Sequence, residues 1–102
     1  PGTSLKCWRC CNNISMCSRK PPIDQDCGNP DYSNLDYLTE WEYYNFCVTT
    51  VYTGGYNEGT VYRNSDFGNR NSDEDCRVWD EGVECYCYDD ECNNNLREHC
   101  LT

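Results

Sequence analysis

Apolar and polar residues alternate over Leu5-Lys6-Cys7-Trp8-Arg9-Cys10, predicting a short strand with Leu5, Cys7 and Arg9 on one face and Lys6, Trp8 and Cys10 on the other. The strongest strand signal lies mid-chain. Phe46-Cys47-Val48-Thr49-Thr50-Val51-Tyr52 and Thr60-Val61-Tyr62-Arg63 are β-branched and aromatic runs flanking the glycine-rich turn Thr53 to Gly59, which predicts a hairpin. Arg77-Val78-Trp79-Asp80-Glu81-Gly82-Val83-Glu84, between Cys76 and Cys85, predicts a second and shorter hairpin turning near Asp80 to Gly82.

The segments between these runs read as connections. Cys11 to Cys17 is expected to be a tight loop, Pro21-Pro22 forbids regular pairing, and Cys27-Gly28-Asn29-Pro30 is dense in turn residues. Asp31 to Phe46 changes to Tyr, Trp, Leu and acids; Ser33-Asn34 could cap a short helical turn carrying Leu35, Leu38 and Trp41 on one side. Asn64 to Asp75 is polar and predicts a loop, and the tail from Asn94 is polar too. Near the C-terminus, Cys85-Tyr86-Cys87 followed by Cys92 forms a cysteine-dense knot. Cys85 and Cys87 are expected to face opposite ways and reach different partners, with Cys87 and Cys92 closing the four-residue turn Tyr88 to Glu91.

Composition explains why cysteines matter here. A single domain of 102 residues with 37% hydrophobic side chains buries a comparatively small share of its surface, and Leu, Ile and Phe are scarce. Eleven cysteines mark a disulfide scaffold in an oxidising, extracellular compartment. The net charge of -10 argues against nucleic acid and anionic membranes as partners and favours, if anything, a basic one. No apolar run approaches a membrane span. Attachment to a membrane is expected only through a lipid anchor, whose hydrophobic signal is removed during processing.

Candidate chemistry yields little catalysis. Cys7-x-x-Cys10 and Cys87-x4-Cys92 have ligand-like spacing, but zinc sites usually come as matched pairs in reducing compartments, so no metal or other cofactor is expected. His99, beside Cys100, is the sole histidine and has no visible third group to orient it as a base. Asp89-Asp90-Glu91 lacks the alternating spacing and glycine of a calcium loop and reads as a solvated turn. Asn13-Ile14-Ser15 is a glycosylation sequon, which makes Asn13 the candidate modification site.

The aromatic residues are in surplus. Nine Tyr and three Trp exceed what a thin fold can bury, so Tyr52, Tyr56 and Tyr62, with Glu58 near the mid-chain turn, Trp79 in the second hairpin and Trp41, are candidate contact residues. Tyr52 and Tyr62 have a plainer reading as a cross-strand pair packed on the sheet.

Together, Leu5-x-Cys7-x-x-Cys10, Phe46-Cys47-Val48-Thr49 and Cys85-x-Cys87-x4-Cys92-Asn93 resemble the Ly6/uPAR three-finger family over Leu5 to Asn93. The Cys-x-Cys spacing is closer to invertebrate members than to the adjacent Cys-Cys common in vertebrate ones. The resemblance implies a small disulfide-rich all-β domain spanning 1–102. Finger I would cover about 10–26, an insert 28–46, finger II 47–63, finger III 76–85, the C-terminal knot 85–93 and a tail 94–102. By position it implies bonds Cys7 to Cys47, Cys76 to Cys85, Cys87 to Cys92 and Cys10 to Cys17, and a role for Asn93 in hydrogen-bonding the backbone at the base. The family's cysteine after the second strand of finger II has no counterpart in Tyr62-Arg63-Asn64-Ser65-Asp66, which leaves Cys27 without its usual partner. Cys11 to Cys27 is then the more local closure and Cys27 to Cys100 the alternative. One thiol of eleven stays odd, and Cys100 is the candidate for a free or intermolecular one.

The expected function is a non-enzymatic extracellular module, secreted or held at the cell surface by a lipid anchor, that modulates a receptor, channel or adhesion partner by binding it. A toxin-like secreted ligand is an alternative, weakened by a finger II with Arg63 as its basic residue against Glu58. The ligand-binding ectodomain of a growth-factor-type receptor and a carbohydrate-binding module are two more.

Overall fold

The computed structural model describes residues 4–18, 20–68 and 75–94. They form a small, disulfide-rich all-β fold of seven strands: β1 (Leu5–Trp8), β2 (Cys10–Cys11), β3 (Leu38–Trp41), β4 (Phe46–Tyr52), β5 (Val61–Asp66), β6 (Cys76–Trp79) and β7 (Gly82–Cys87). One sheet pairs β1 with β3; the other runs in the order β2-β5-β4-β7-β6, all antiparallel. Both predicted hairpins are present, as β4–β5 and β6–β7. The first is longer than expected, since Asn64 to Asp66 continue β5 opposite Phe46 to Val48 instead of entering a loop.

The first loop of the chain is larger than its cysteines suggested. Trp8 pairs with Leu38 and Leu5 with Trp41, so the expected insert 28–46 supplies the return strand of loop I. Asn34 does cap a helical turn, its side chain accepting from Asp36 N, but the turn is a single 3-10 turn, Leu35–Tyr37, after which the chain extends. Leu35, Leu38 and Trp41 therefore share no helical face, and Leu35 is exposed. The expected loop at Cys11 to Cys17 contains a helical turn, α1 (Ile14–Cys17), capped by Asn13, whose Oδ1 accepts from Ser15 N and Met16 N.

All ten described cysteines are bridged, as Cys7–Cys47, Cys10–Cys27, Cys11–Cys17, Cys76–Cys85 and Cys87–Cys92. The expected pairs Cys10 to Cys17 and Cys11 to Cys27 are thus exchanged. Register explains the exchange, because adjacent strand residues face opposite ways. Cys10 sits opposite Arg63, on the side where Cys27 and Trp8 pack, while Cys11 sits opposite Tyr62 and turns toward α1, which ends in Cys17. Cys85 and Cys87 reach different partners as expected, but from one face: residues two apart in a strand point the same way, and Tyr86 alone points the other. His99 and Cys100 lie outside the described residues.

The core lies between loop I and one face of the five-stranded sheet, called the inner face below. Trp8, Cys10, Cys27 and Tyr32 pack there with Val61 and Val51, and Leu5 and Cys7 pack with Cys47, Cys87 and Cys92. Asn93 is buried and seals the base: its Oδ1 accepts from Trp8 N at 2.9 Å, and its Nδ2 donates to Trp8 O, Val48 O and Asn64 O at 2.9, 3.1 and 3.3 Å. This is the role that the resemblance implies for Asn93. The acidic turn before it also anchors the chain, with Asp90 accepting from Lys6 N and Glu91 N donating to Lys6 O.

Where a cysteine was missed in β5, the inner face carries Arg63 instead. It has no exposed surface, so its charge is not offered at a fingertip. Its guanidinium donates to the carbonyls of Cys27, Asn29, Asn93 and Asn94 and lies 5.2 Å from the centre of the Tyr32 ring. Charge-assisted bonds of this kind are stronger than neutral ones and here tie loop I, β5 and the knot together. Burial lowers the Arg63 pKa to about 10, partly offset by Tyr32. Burial also holds the Tyr32 phenol well above its usual range, helped by its 2.8 Å hydrogen bond to Asp24. Burial pushes the Asp24 carboxyl up, yet hydrogen bonds from Asp26 N, Asn34 and Tyr32 outweigh it and leave that pKa lowered.

Candidate functional site

The sheet's other face, the outer one, follows from strand alternation. Phe46, Val48, Thr50 and Tyr52 of β4 share it with Tyr62 and Asn64 of β5, with Glu84 and Tyr86 of β7, and with Arg77 and Trp79 of β6. Its buried cluster, Phe46, Val48 and Tyr86, belongs wholly to the sheet itself. Side chains on this face brace one another. Thr50 Oγ1 donates to Glu84 Oε2 at 2.9 Å, Tyr86 OH donates to Glu84 Oε1, and Asn64 Nδ2 donates to Tyr62 OH at 2.7 Å. The Phe46 ring meets Tyr86 and Tyr88 edge to face.

Toward the tips, Tyr52 meets Trp79 edge to face at 5.7 Å, and the Arg77 guanidinium lies 5.4 Å from the centre of the Trp79 ring. Gly82 makes the contact possible. A Cβ there would stand 2.5 Å from Val51 O and 3.1 Å from the Trp79 ring. The expected Tyr52–Tyr62 pair does not form: Tyr62 is in register with Thr50, and Tyr52 with Gly82.

The tips of the second and third loops are joined. Thr53 N and Gly54 N donate to Glu81 O at 2.9 and 3.3 Å, and Gly55, at φ +80°, leaves room for the Glu81 carboxylate, which a Cβ would meet at 2.5 Å. Tyr56 stands on this joined tip, 96% exposed, with Glu58 exposed beside it. The six aromatic and acidic candidates therefore fall into three groups: Tyr52, Tyr62 and Trp79 on the outer face, Tyr56 and Glu58 at the tip, and Trp41 elsewhere. Trp41 contacts Tyr43, Tyr44 and Phe67 edge to face, in a separate cluster beside the β1–β3 sheet.

Glu84, Arg77 and Tyr86 were not singled out in the sequence. The signal that marks them is the two-residue period of β7 and β6 set in register with β4. Asn13 is tied down at both ends: its Nδ2, the atom a glycan would take, donates to Thr60 Oγ1 at 2.8 Å. The sulfurs of Cys47, Cys87 and Cys92 lie within 4.8 Å of one another, but each is committed to a disulfide and is not the thiolate that binds zinc.

Among the described residues no helix is long and apolar enough to cross a membrane, and the five disulfides fit an oxidising compartment. Set against models of protein families, curated proteins and solved structures, the chain matches none.

Proposed function

We propose that this chain is an extracellular, non-enzymatic binding module of the Ly6/uPAR three-finger type, which modulates a receptor, channel or adhesion partner by docking on it. The observation that carries the reading is the gathering of Tyr52, Tyr62 and Trp79 on one sheet face, leading to the exposed Tyr56 on the joined tips. Rigid amphipathic rings on a cross-linked support bind with little loss of side-chain freedom. The layout supports the family reading as well: three loops, closed by β1–β3, β4–β5 and β6–β7, leave a base held by Cys7–Cys47, Cys87–Cys92 and Asn93.

A protein partner is preferred to a carbohydrate. Arg77 lies over the Trp79 ring and Tyr52 packs against it edge to face, so that ring offers less flat surface for a sugar to stack on. The test is capture of cell-surface proteins by the tagged domain and by its Tyr52→Ala, Tyr56→Ala variant. The reading predicts a partner that the folded variant fails to retain; equal retention by both would overturn it.

A further inference from the structure

We propose that the groove around Glu84 on the outer face takes a cationic side chain, a lysine or an arginine, presented by the protein partner. This rests on the docking reading above and adds the chemistry of one anchor. The groove has a volume of about 290 Å³, and Glu84 lies in it among Phe46, Val48, Tyr62 and Tyr86, with Asp66 at one end.

Three features make Glu84 an acceptor for a visiting cation. First, its carboxylate is fixed from two sides, with Thr50 Oγ1 on Oε2 and Tyr86 OH on Oε1. Each carboxylate oxygen accepts more than one hydrogen bond, so acceptor capacity remains on both. Second, among the described residues the obvious counter-ion is held elsewhere. Arg77 is directly opposite Glu84 in the β6–β7 register, yet its guanidinium lies over Trp79, and the bonds that the Glu84 carboxylate accepts from described side chains come from the two hydroxyls. Third, the walls suit the stem of a long basic side chain. Aliphatic and aromatic surface packs against its methylenes.

Glu84 is half-buried, so a pair formed there is better shielded than one on open surface. The net charge of -10 draws a basic partner toward the domain as a whole. Glu84 then specifies where one of that partner's charges is seated.

The test uses the isotope-labelled domain and two small probes, N-acetyl-arginine methylamide and its neutral isostere N-acetyl-citrulline methylamide, followed by amide NMR shifts. The arginine probe is expected to give saturable shifts at Val48, Thr50, Tyr62 and Glu84, and citrulline to bind about tenfold more weakly, as loss of one charge-assisted bond implies. Glu84→Gln keeps the shape of the side chain and should remove the preference for arginine, while the same spectra report whether the fold survives. Tyr62→Ala, which keeps the charge and removes a wall, should weaken both probes. Equal binding of the two probes, or a preference unchanged by Glu84→Gln, would overturn the inference. If Glu84→Gln retains a partner that the Tyr52→Ala, Tyr56→Ala variant loses, this anchor is wrong and the docking reading stands; if the anchor binds arginine but no partner is captured, the reverse holds.

Discussion

Tyr52 and Trp79 meet edge to face above Gly82, the residue that stands opposite both of them in the β-ladder. The contact joins the second loop to the third and fixes two of the rings proposed to touch a partner. It also makes the fold sensitive at a position with no side chain of its own.

Gly82→Ala should therefore destabilise the domain by roughly 1–3 kcal/mol, the usual cost of overpacking a tight site. The new Cβ meets the backbone oxygen of Val51, which cannot swing aside as a side chain could. Denaturant unfolding followed by Trp fluorescence would measure the loss. Gly54→Ala, where the nearest atom is 4.0 Å away, is the control and should cost far less.

Arg63→Met should cost more than about 3 kcal/mol, because it strands several carbonyls that the guanidinium now satisfies. Arg63→Lys should recover only part of this, since one ammonium cannot span the carbonyls of Cys27, Asn29, Asn93 and Asn94 together. Thermal unfolding of the three proteins, with disulfides intact, would give the order.

Stability should fall on both sides of neutrality for identifiable reasons. The Tyr32 phenol is raised in the folded state, so its contribution is fully present below the unfolded value near 10 and declines as pH rises above it. Above that point the native state holds a proton that the unfolded chain releases. Asp24 is lowered, so its contribution is present above about 3.8 and declines as pH falls through its folded value. Tyr32→Phe should flatten the alkaline slope and Asp24→Asn the acid one in unfolding curves taken across pH.

The Cys10–Cys27 and Cys11–Cys17 bonds should differ in weight. The first bridges residues 17 apart inside the core and the second residues only 6 apart beside α1. Replacing Cys10 and Cys27 by Ser should cost the larger amount, on the order of 3 kcal/mol from chain entropy alone, and replacing Cys11 and Cys17 the smaller. Equal losses in denaturant unfolding would count against these pairings.

How much of this was legible in the sequence depended on distance along the chain. The β4–β5 and β6–β7 hairpins could be read because each pairs with a neighbour across a turn marked by Gly or Asp. The β1–β3 pairing could not, since Leu38 to Trp41 finds its partner thirty or more residues upstream and carries no period that separates strand from helical turn. The exchange at Cys10 and Cys11 was hidden for a related reason. Which of two adjacent cysteines faces inward is set by β5, through Arg63 and Tyr62, and not by spacing.

At the site, aromatic surplus pointed to Tyr52, Tyr56, Tyr62 and Trp79, while Glu84 was lost among 18 acidic residues. Only the register that sets it beside Thr50 and Tyr86 distinguishes it. Composition alone does not separate Trp41 from the others, and the fold sets it apart in its own ring cluster.

The most direct test is a footprint of the complex. With a captured partner bound, hydrogen exchange and side-chain labelling should show protection at Tyr52, Tyr56, Tyr62 and Trp79 together. Protection confined to Trp41, Tyr43 and Phe67, with the outer sheet face and joined tips left as accessible as in the free domain, would contradict the account.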